Sequence, residues 1–228
     1  MSVPRHAMIL AAGLGTRLRP LTEQVPKALI DVGGRPMIEY PLRMLAAAGV
    51  EAIVVNLHHR GGEIRDALGD GRRFGVRLLY SAEDPILDTG GAMVKARPML
   101  GGGEFLVANC DALLEVDLVA LAAFHEARGA LATLVVRRDP RADRYGPLDL
   151  DATGRIRRFL GDPADADGTL ERTMFCGVHV ISSRIFDFMP SGGAFSITRY
   201  TYARAHAAGA ELYGLRYEGY WADPGTPE

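Results

Sequence analysis

Short apolar runs alternate with amphipathic segments over about the first 138 residues of this 228-residue chain. The apolar runs predict strands, and apolar residues at three- and four-residue spacing predict helices. The predicted strands are 7–11, 52–55, 76–80, 105–108 and 131–136, and the predicted helices are 36–48, 62–68, 91–100 and 116–128. Strands that are apolar on both faces and alternate with helices indicate an α/β fold. Its sheet should be Rossmann-like, mixed but mainly parallel, with helices covering both faces.

The pattern changes after about residue 138. Residues 148–150, 156–160 and 174–181 alternate more loosely, which predicts a more antiparallel region built onto the sheet. Residues 196–208 predict a further helix and 212–217 a last strand, and Gly225 to Glu228 resemble a helix cap with its first turn. We expect one domain, 1–228, in two halves that divide near residue 138.

Charge and composition exclude several classes of protein. The formal net charge is -2 and the acidic residues are interspersed among arginines, so no basic stripe is available for nucleic acid. No apolar run approaches the ~20 residues of a membrane span, and the N-terminal sequence is not a signal peptide. The two cysteines, Cys110 and Cys176, cannot form a disulfide framework. We expect a cytoplasmic protein, with a homo-oligomer left open.

The sequence LAAGLGTRLRPLTEQVPKAL, residues 10–29, carries the clearest chemical signal. A predicted buried strand leads into Gly13 and Gly15, where backbone amides can approach an anion. Arg17 then offers a planar guanidinium and Lys27 a compact ammonium, which are the groups that bind polyphosphates. Two commoner phosphate motifs are absent: Leu18 breaks the dinucleotide fingerprint, and no Gly-Lys-Ser/Thr sequence is present.

This stretch resembles the signature of the sugar-1-phosphate nucleotidylyltransferases, G-x-G-T-R-x-x-P-x-T with a later Pro-Lys. The resemblance extends over nearly the whole chain. Three further segments resemble family motifs: Ala108 to Asp111 the end of a metal-binding strand, Tyr145-Gly146 a sugar-facing turn, and Trp221 to Asp223 a late W-x-D motif. The resemblance implies a GT-A-like fold with a nucleotide-binding half over about 1–138 and a sugar-binding half over about 139–228. It also implies a reaction of a nucleoside triphosphate with a sugar 1-phosphate that releases pyrophosphate.

The resemblance also implies roles for individual residues. Arg17 would hold the β- and γ-phosphates, Lys27 the α-phosphate, and Asp111 with Asp223 a Mg²⁺ ion. The implied sugar contacts are Asn109, Gly146 and Arg158. The implied nucleotide contacts are Leu10, Ala11, Ala12, Gly13, Gly15, Thr16, Arg17, Lys27, Glu83, Thr89 and Gly90.

Several of these residues have alternative interpretations. Asp111 could instead cap the helix that begins near Val116, and Asp223 could shape an Asp-Pro-Gly turn. Cys110 stands where the family has Gly. The family's acidic-Lys-Pro turn corresponds here to residues 157–163, which contain Arg157 and Arg158 but no Lys.

The segment LDTGGAMVKA, residues 87–96, is similar to uridylyltransferases acting on N-acetylmuramate 1-phosphate. UTP with that sugar, or with a related one, is therefore the favoured substrate pair. GTP with mannose 1-phosphate or a heptose 1-phosphate is the alternative. A binding subunit without catalytic activity is a further hypothesis, although Arg17, Lys27 and both carboxylates are present.

Histidines, aromatic residues and lysines complete the candidates. His58 and His59 have no third ligand nearby, so a surface or hydrogen-bonding pair is favoured over a metal site. His179 is expected in the core or on a pocket wall, and Phe175, Tyr145 and Trp221 either line the sugar pocket or pack in the core. Of 26 basic residues only Lys27 and Lys95 are lysines, and Lys95 has no assigned role.

Overall fold

The computed structural model describes residues 3–159 and 169–225. The strands are β1 (His6–Leu10), β2 (Ala52–Leu57), β3 (Arg77–Ala82), β4 (Glu104–Asn109), β5 (Leu113–Leu114), β6 (Ala132–Arg137), β7 (Pro147–Leu150), β8 (Ile156–Phe159), β9 (Glu171–Ser182), β10 (Leu212–Arg216) and β11 (Trp221–Ala222). The α-helices are α1 (Leu21–Gln24), α2 (Glu39–Ala47), α3 (Gly61–Leu68), α4 (Asp88–Ala96), α5 (Leu118–Ala127), α6 (Ala142–Tyr145) and α7 (Ala203–Ala207). Leu160, most of the segment expected to replace the acidic-Lys-Pro turn, and the expected helical turn after Gly225 lie outside the described residues.

Nine strands form one sheet, in the order β10-β6-β9-β4-β1-β2-β3, with β7 and β8 added beside β9. Strand β1 pairs in parallel with β2 and β4, β2 with β3, and β6 with β10. The long strand β9 runs antiparallel to both β4 and β6 and joins the two parallel parts. This mixed sheet confirms the predicted fold class, and β7, β8 and β9 form the antiparallel region expected after residue 138.

Side chains alternate between two apolar layers, one on each face of the sheet. In β1, Ile9 packs in a layer with α2, α3 and α5, whereas Met8 packs in the opposite layer with α4 and α7. Strands β2 and β4 divide their side chains in the same way. Helices therefore cover both faces, which explains why residues 7–10, 52–55 and 105–108 are apolar without alternation.

Some helix boundaries differ from the prediction. Helix α5 begins at Leu118 because the Asp117 carboxylate accepts hydrogen bonds from the amides of Val119 and Ala120, both at 2.9 Å. Asp117 is thus the cap of this helix, and Asp111 is not. The single helix predicted over 196–208 is divided into a π-helical segment, Ile197–Tyr202, and the short helix α7.

The sheet brings the chemical motifs to one edge. Leu10, the last residue of β1, is in register with Asn109, the last residue of β4. Because these parallel strands end together, the glycine-rich loop after β1 and the Cys110-Asp111 segment after β4 lie side by side. This edge is where ligands bind in open α/β sheets.

None of the helices described over 3–159 and 169–225 is long and apolar enough to cross a membrane.

Candidate active site

The loop after β1 is held by buried backbone and side-chain contacts. The Ala11 amide donates to Asn56 Oδ1 at 2.7 Å. Gly15 has a φ of 63°, and a Cβ there would lie 2.7 Å from Thr22 and 3.0 Å from Lys27. Gly13 is exposed, with open space around it. The loop is therefore fixed at its base and close to Lys27, while its tip leaves backbone accessible to a ligand.

Lys27 and Asp111 form an ion pair, with Lys27 Nζ donating to Asp111 Oδ2. The two side chains are only 11% and 21% exposed. Lys27 begins a short 3₁₀ helix after Pro26, and Asp111 follows β4, so the pair joins two segments 84 residues apart. Asp111 therefore contacts Lys27 just beyond the end of β4.

Asp223 lies beside this pair. Burial raises the pKa of Asp223 and the negative charge of Asp111 raises it further, against the opposing effects of Lys27, the Gly225 amide and Arg17. Asp223 Oδ1 accepts from the Gly225 amide at 2.9 Å, so the Asp-Pro-Gly turn interpretation holds for that oxygen. The carboxylate is both a turn residue and part of the candidate site.

The two aspartates have the chemistry that a magnesium ion requires. They offer hard oxygen ligands, and a cation would relieve their repulsion. Among the described residues, no group of three or more His, Cys, Asp or Glu side chains could hold a metal without help. The protein would thus supply one or two carboxylates, and substrate phosphates and water the remaining ligands, which is the arrangement usual for Mg²⁺.

Two cavities meet at this edge of the sheet. One, of about 230 Å³, is lined by Gly13, Lys27 and Glu83, and we call it the loop cavity. The other, of about 260 Å³, is lined by Tyr145, Phe175 and Trp221, and we call it the aromatic cavity. The residues on the walls of both are Leu10, Thr89, Asn109 and Asp111. A group placed at Asp111 is therefore adjacent to both cavities.

The aromatic cavity is assembled from segments that are distant in the sequence. The rings of Tyr145 and Trp221 meet edge to face, with centroids 5.7 Å apart. Trp221 Nε1 donates to the Cys176 carbonyl at 3.0 Å, which fixes the indole against β9. Gly146 also lines this cavity, as the resemblance implies. Tyr145, Phe175 and Trp221, which were predicted either to line a pocket or to pack in the core, thus all lie on the wall of this cavity.

His179 lines the aromatic cavity and is itself buried. Its Nδ1 lies 2.7 Å from the Tyr202 hydroxyl, and Nε2 has no hydrogen-bond partner among the described residues. Burial lowers the pKa of His179 to about 3, so the imidazole is neutral near pH 7. We assign Tyr202 as the donor to Nδ1, because the buried hydroxyl has no other partner in the described chain. The imidazole proton then resides on Nε2.

Glu83 is the centre of a buried hydrogen-bond network. It is 4% exposed, and its two oxygens accept from Asn56 Nδ2 at 2.8 Å and from the Leu87 amide at 2.9 Å. Because Asn56 also accepts from Ala11, Glu83 connects the loop after β1 to the start of α4. Sequence reasoning missed Asn56, since an Asn at the end of an apolar strand carries no motif of its own.

The start of α4 is packed against a distant loop. Thr89 Oγ1 accepts from the Ile197 amide at 2.9 Å, and the Gly90 amide donates to the Phe195 carbonyl at 2.8 Å. A Cβ on Gly90 would lie 2.3 Å from the Phe195 ring. Thr89 lines both cavities, whereas Gly90 lines neither and is glycine for packing.

The remaining candidates are divided between the two cavities. Ala12 lines the loop cavity, Arg17 and Asp223 the aromatic cavity, and Asn109 both. Five candidates line neither cavity: Gly90 and also Ala11, Gly15, Thr16 and Arg158.

Three residues with an uncertain role have clear positions. Cys110 is buried, and burial raises the pKa of its thiol to about 12, so it is a small apolar residue here. Lys95 is exposed on α4, away from both cavities. His58 Nδ1 lies 3.0 Å from the Glu83 carbonyl, in agreement with a hydrogen-bonding role.

Comparison with known proteins identifies relatives over the whole length of the chain. N-acetylmuramate alpha-1-phosphate uridylyltransferase of Neisseria meningitidis serogroup B is 36% identical, and the match covers 96% of this chain and 93% of that protein. UTP–glucose-1-phosphate uridylyltransferase of Synechocystis is 32% identical over 96% of this chain and 60% of that protein. Mannose-1-phosphate guanylyltransferase of Mycobacterium tuberculosis is 32% identical, and the match covers 97% of this chain and 61% of that protein. The chain thus spans only about 60% of the length of the last two relatives.

Solved structures agree on the fold. The inositol-1-phosphate CTP transferase of T. maritima superposes with a TM-score of 0.81 at 19% identity, over 99% of this chain and 91% of that one. HddC of Yersinia pseudotuberculosis, complexed with GMP-PN, superposes with a TM-score of 0.79 at 23% identity, and the match covers 98% of this chain and 95% of that one. The family model described as Nucleotidyl transferase matches residues 6–228. This chain therefore belongs to the nucleotidyl transferase family, and its relatives confirm the resemblance to sugar-1-phosphate nucleotidylyltransferases.

Proposed function

We propose that the protein transfers a nucleotidyl group from a nucleoside triphosphate to a sugar 1-phosphate and releases pyrophosphate. The supporting observation is the Lys27–Asp111 ion pair, which lies where the loop cavity and the aromatic cavity meet. The reaction joins two anionic substrates at one phosphorus atom. It therefore requires cationic groups and alignment at a junction of this kind, and no covalent nucleophile.

In the proposed reaction, an oxygen of the sugar 1-phosphate attacks the α-phosphorus as the bond to the β-phosphate bridging oxygen breaks. The loop cavity would hold the nucleotide, with exposed backbone near Gly13 beside the phosphates. Lys27, on the wall of the loop cavity, would contact the α-phosphate as a compact charge. The exposed Arg17 guanidinium lines the aromatic cavity, so the β- and γ-phosphates would extend to the junction of the two cavities to reach it. Asp111 and Asp223 would hold Mg²⁺, which when bound neutralises phosphate charge.

The aromatic cavity would hold the sugar. Asn109 and Gly146 line it, as proposed sugar contacts should. The neutral His179 also lies on its wall, and its buried Nε2–H has no partner among the described residues. Arg158 lies on β8 outside this cavity, so we assign it no contact with the sugar ring. Glu83 is proposed to position the nucleotide loop through Asn56, because both of its oxygens are already bonded.

UTP with N-acetylmuramate 1-phosphate is the favoured substrate pair. Its support is the Neisseria relative, which has nearly the length of this chain and the highest identity of those described. GTP with mannose 1-phosphate, or with a heptose 1-phosphate, is the second candidate because the Mycobacterium relative is a guanylyltransferase. A cytoplasmic location is part of the proposal and is supported by two buried cysteines with free thiols.

A pyrophosphate-release assay tests the proposal. UTP and GTP are each combined with N-acetylmuramate, mannose and glucose 1-phosphates, with and without Mg²⁺. We expect Mg²⁺-dependent release with at least one pair, and the greatest kcat/KM for UTP with N-acetylmuramate 1-phosphate. No release with any pair, in a protein whose melting temperature still rises with nucleotide, would indicate a binding subunit instead.

A further inference from the structure

A third cavity, of about 590 Å³, adjoins the aromatic cavity. The two share Tyr145, Gly146, Phe159 and Thr198 on their walls. The additional walls include Arg144, at the end of α6, and Arg199, in the π-helical segment after Ser196. We call this cavity the arginine groove. Its shared walls make it the continuation of the aromatic cavity toward solvent.

Arg144 and Arg199 differ from the arginines around them. In the same antiparallel region Arg138 binds Glu171 at 2.6 Å, Arg141 binds Asp139 at 2.8 Å, and Arg157 binds Asp151 at 2.7 Å. Arg144 and Arg199 are exposed, and their guanidinium groups have no hydrogen bond, ion pair or ring contact with any described residue. Two cations therefore line one groove with their hydrogen-bond donors available.

The groove has an acidic residue, but that residue is already paired. Asp143 Oδ1 accepts from Arg172 Nη1 at 2.7 Å. Arg172 also pairs with Asp149, so it balances the charge of Asp143 only in part. With Arg144 and Arg199 on its walls, the described side chains of the groove still carry a net positive charge. The imidazole on the wall of the aromatic cavity is neutral. An anionic group attached to the sugar would thus meet two guanidinium groups with available hydrogen-bond donors in the groove.

We propose, resting on the proposed function, that the arginine groove binds an anionic substituent of the sugar 1-phosphate. The substrate class is an acidic sugar 1-phosphate, in which a carboxylate or a second phosphate extends from the ring toward Arg144 and Arg199. Both anions match the planar fork of donors on Arg. The phosphate at carbon 1 would remain beside Lys27, so that one anion is placed for reaction and the other selects the sugar.

Paired substrates that differ in one anionic group test this proposal. N-acetylmuramate 1-phosphate is compared with N-acetylglucosamine 1-phosphate, which has the same ring without the carboxylate. Glucose 1,6-bisphosphate is compared with glucose 1-phosphate. We expect kcat/KM to be at least roughly 10-fold greater for the acidic member of one pair, since charged hydrogen bonds of this kind are among the stronger ones. The pair that responds distinguishes a carboxylate from a phosphate.

The double variant Arg144→Gln/Arg199→Gln should lose that preference. We expect kcat/KM for the acidic sugar to fall at least roughly 10-fold, with that for the neutral sugar unchanged. Arg204→Gln is the matched control, because Arg204 is an exposed arginine nearby on α7 that lines none of the three cavities. Equal losses for acidic and neutral sugars, or no preference in the unaltered protein, would overturn the proposal.

Calorimetric titration without nucleotide separates this proposal from the proposed function. In at least one of the two pairs, the acidic sugar 1-phosphate should bind at least roughly 10-fold more tightly than its neutral counterpart, and the difference should decrease as salt is added. If no pair releases pyrophosphate but this difference is present and is lost in the double variant, the groove is supported and the proposed reaction is not. Equal binding of both sugars together with normal turnover contradicts the groove alone.

Discussion

The loop cavity and the aromatic cavity are adjacent but are constructed in different ways. The loop cavity is built from the ends of neighbouring parallel strands, and hydrogen bonds through Asn56 and Glu83 connect its walls. The aromatic cavity takes its walls from β6, β7, β9, the π-helical segment and β11, held mainly by ring contacts. The walls of the loop cavity are thus held together by one connected hydrogen-bond network. In the proposed function, the aromatic cavity would hold the sugar, which is the part that differs between the candidate substrates.

The largest expected effect is at the junction of the cavities. Lys27→Ala should lower kcat at least ~100-fold with every sugar, because an electrostatic contact at the reacting phosphate is removed. Initial rates of pyrophosphate release measure this loss. Lys95→Ala, at the other lysine of the chain, is the control and should leave kcat unchanged. A similar kcat for Lys27→Ala and the unaltered protein would remove Lys27 from the proposed reaction.

The second effect should be confined to the loop cavity. Glu83→Ala leaves the Asn56 amide and the Leu87 N–H without their acceptors. We expect stability to fall by about 2–4 kcal/mol and the KM for the nucleotide to rise about tenfold. Urea denaturation and nucleotide titration measure the two changes. Glu63→Ala, which removes a partly exposed pair with Arg60, should change stability by less than about 1 kcal/mol. An unaltered nucleotide KM in Glu83→Ala would show that the network is structural only.

The third effect should be confined to the aromatic cavity. Tyr202→Phe removes the donor that holds the His179 tautomer, so the KM for the sugar 1-phosphate should rise about 3- to 10-fold while the KM for the nucleotide stays the same. Tyr200→Phe, at an exposed tyrosine of the same segment, is the control. A rise in both KM values would indicate a general loss of structure instead.

The same histidine gives a pH prediction. Because burial lowers the pKa of His179 to about 3, it stays neutral from pH 6 to pH 8. The KM for the sugar should therefore show no inflection from His179 over this range. An inflection near pH 6.5 that disappears in His179→Gln would contradict the assignment.

The smallest effect is expected outside both cavities. Asp151, in the turn between β7 and β8, accepts from the Thr153 amide at 2.9 Å and from Arg157 at 2.7 Å. Asp151→Ala should cost about 1 kcal/mol after allowance for solvent screening, with kcat unchanged. Asp66→Ala, at an exposed aspartate on α3, should cost less. Thermal unfolding at pH 7 measures both.

Lowering the pH should remove the stabilisation that the Asp151 carboxylate provides. Hydrogen bonds lower the pKa of Asp151 to about 2, despite the opposing effect of burial. The stabilisation is therefore complete above the pKa of an unfolded aspartate, ~3.9, and is lost as the pH falls toward 2. The difference in unfolding free energy between the unaltered protein and Asp151→Ala should decrease over that interval. A difference that is constant with pH would show that Asp151 is not stabilised as a carboxylate.

This difference between the cavities also explains what could be predicted from the sequence. The parallel strands and the loop after β1 are encoded by local patterns, so the positions of these strands could be predicted, and Lys27 and Asp111 could be named as candidates. The role of Glu83 as the centre of a network depends on Asn56, 27 residues away, and no local pattern indicates that contact. The same holds for Gly90, whose place beside Phe195 depends on a loop more than a hundred residues later.

The antiparallel region was predicted only in outline. Its strands alternate loosely because one face meets a cavity. The helix predicted over 196–208 is divided between Tyr202 and Ala203, and the Ser196 hydroxyl caps the first segment by accepting from the Arg199 amide at 3.3 Å. The pairing of Asp111 with Lys27 could not be predicted either, since no local pattern indicates a contact between residues 84 positions apart. Arg144 and Arg199, the two cations of the arginine groove, carry no motif.

The Glu83 network has a mechanical consequence. The loop after β1 and the first turn of α4 are attached to one carboxylate through Asn56 and Leu87, so the two sides of the loop cavity cannot separate without breaking a buried hydrogen bond. Because α4 is in turn bonded to residues 195 and 197 through Gly90 and Thr89, this coupling reaches the segment that carries Arg199. A nucleotide that orders the loop would thereby stiffen one wall of the sugar side before the sugar arrives.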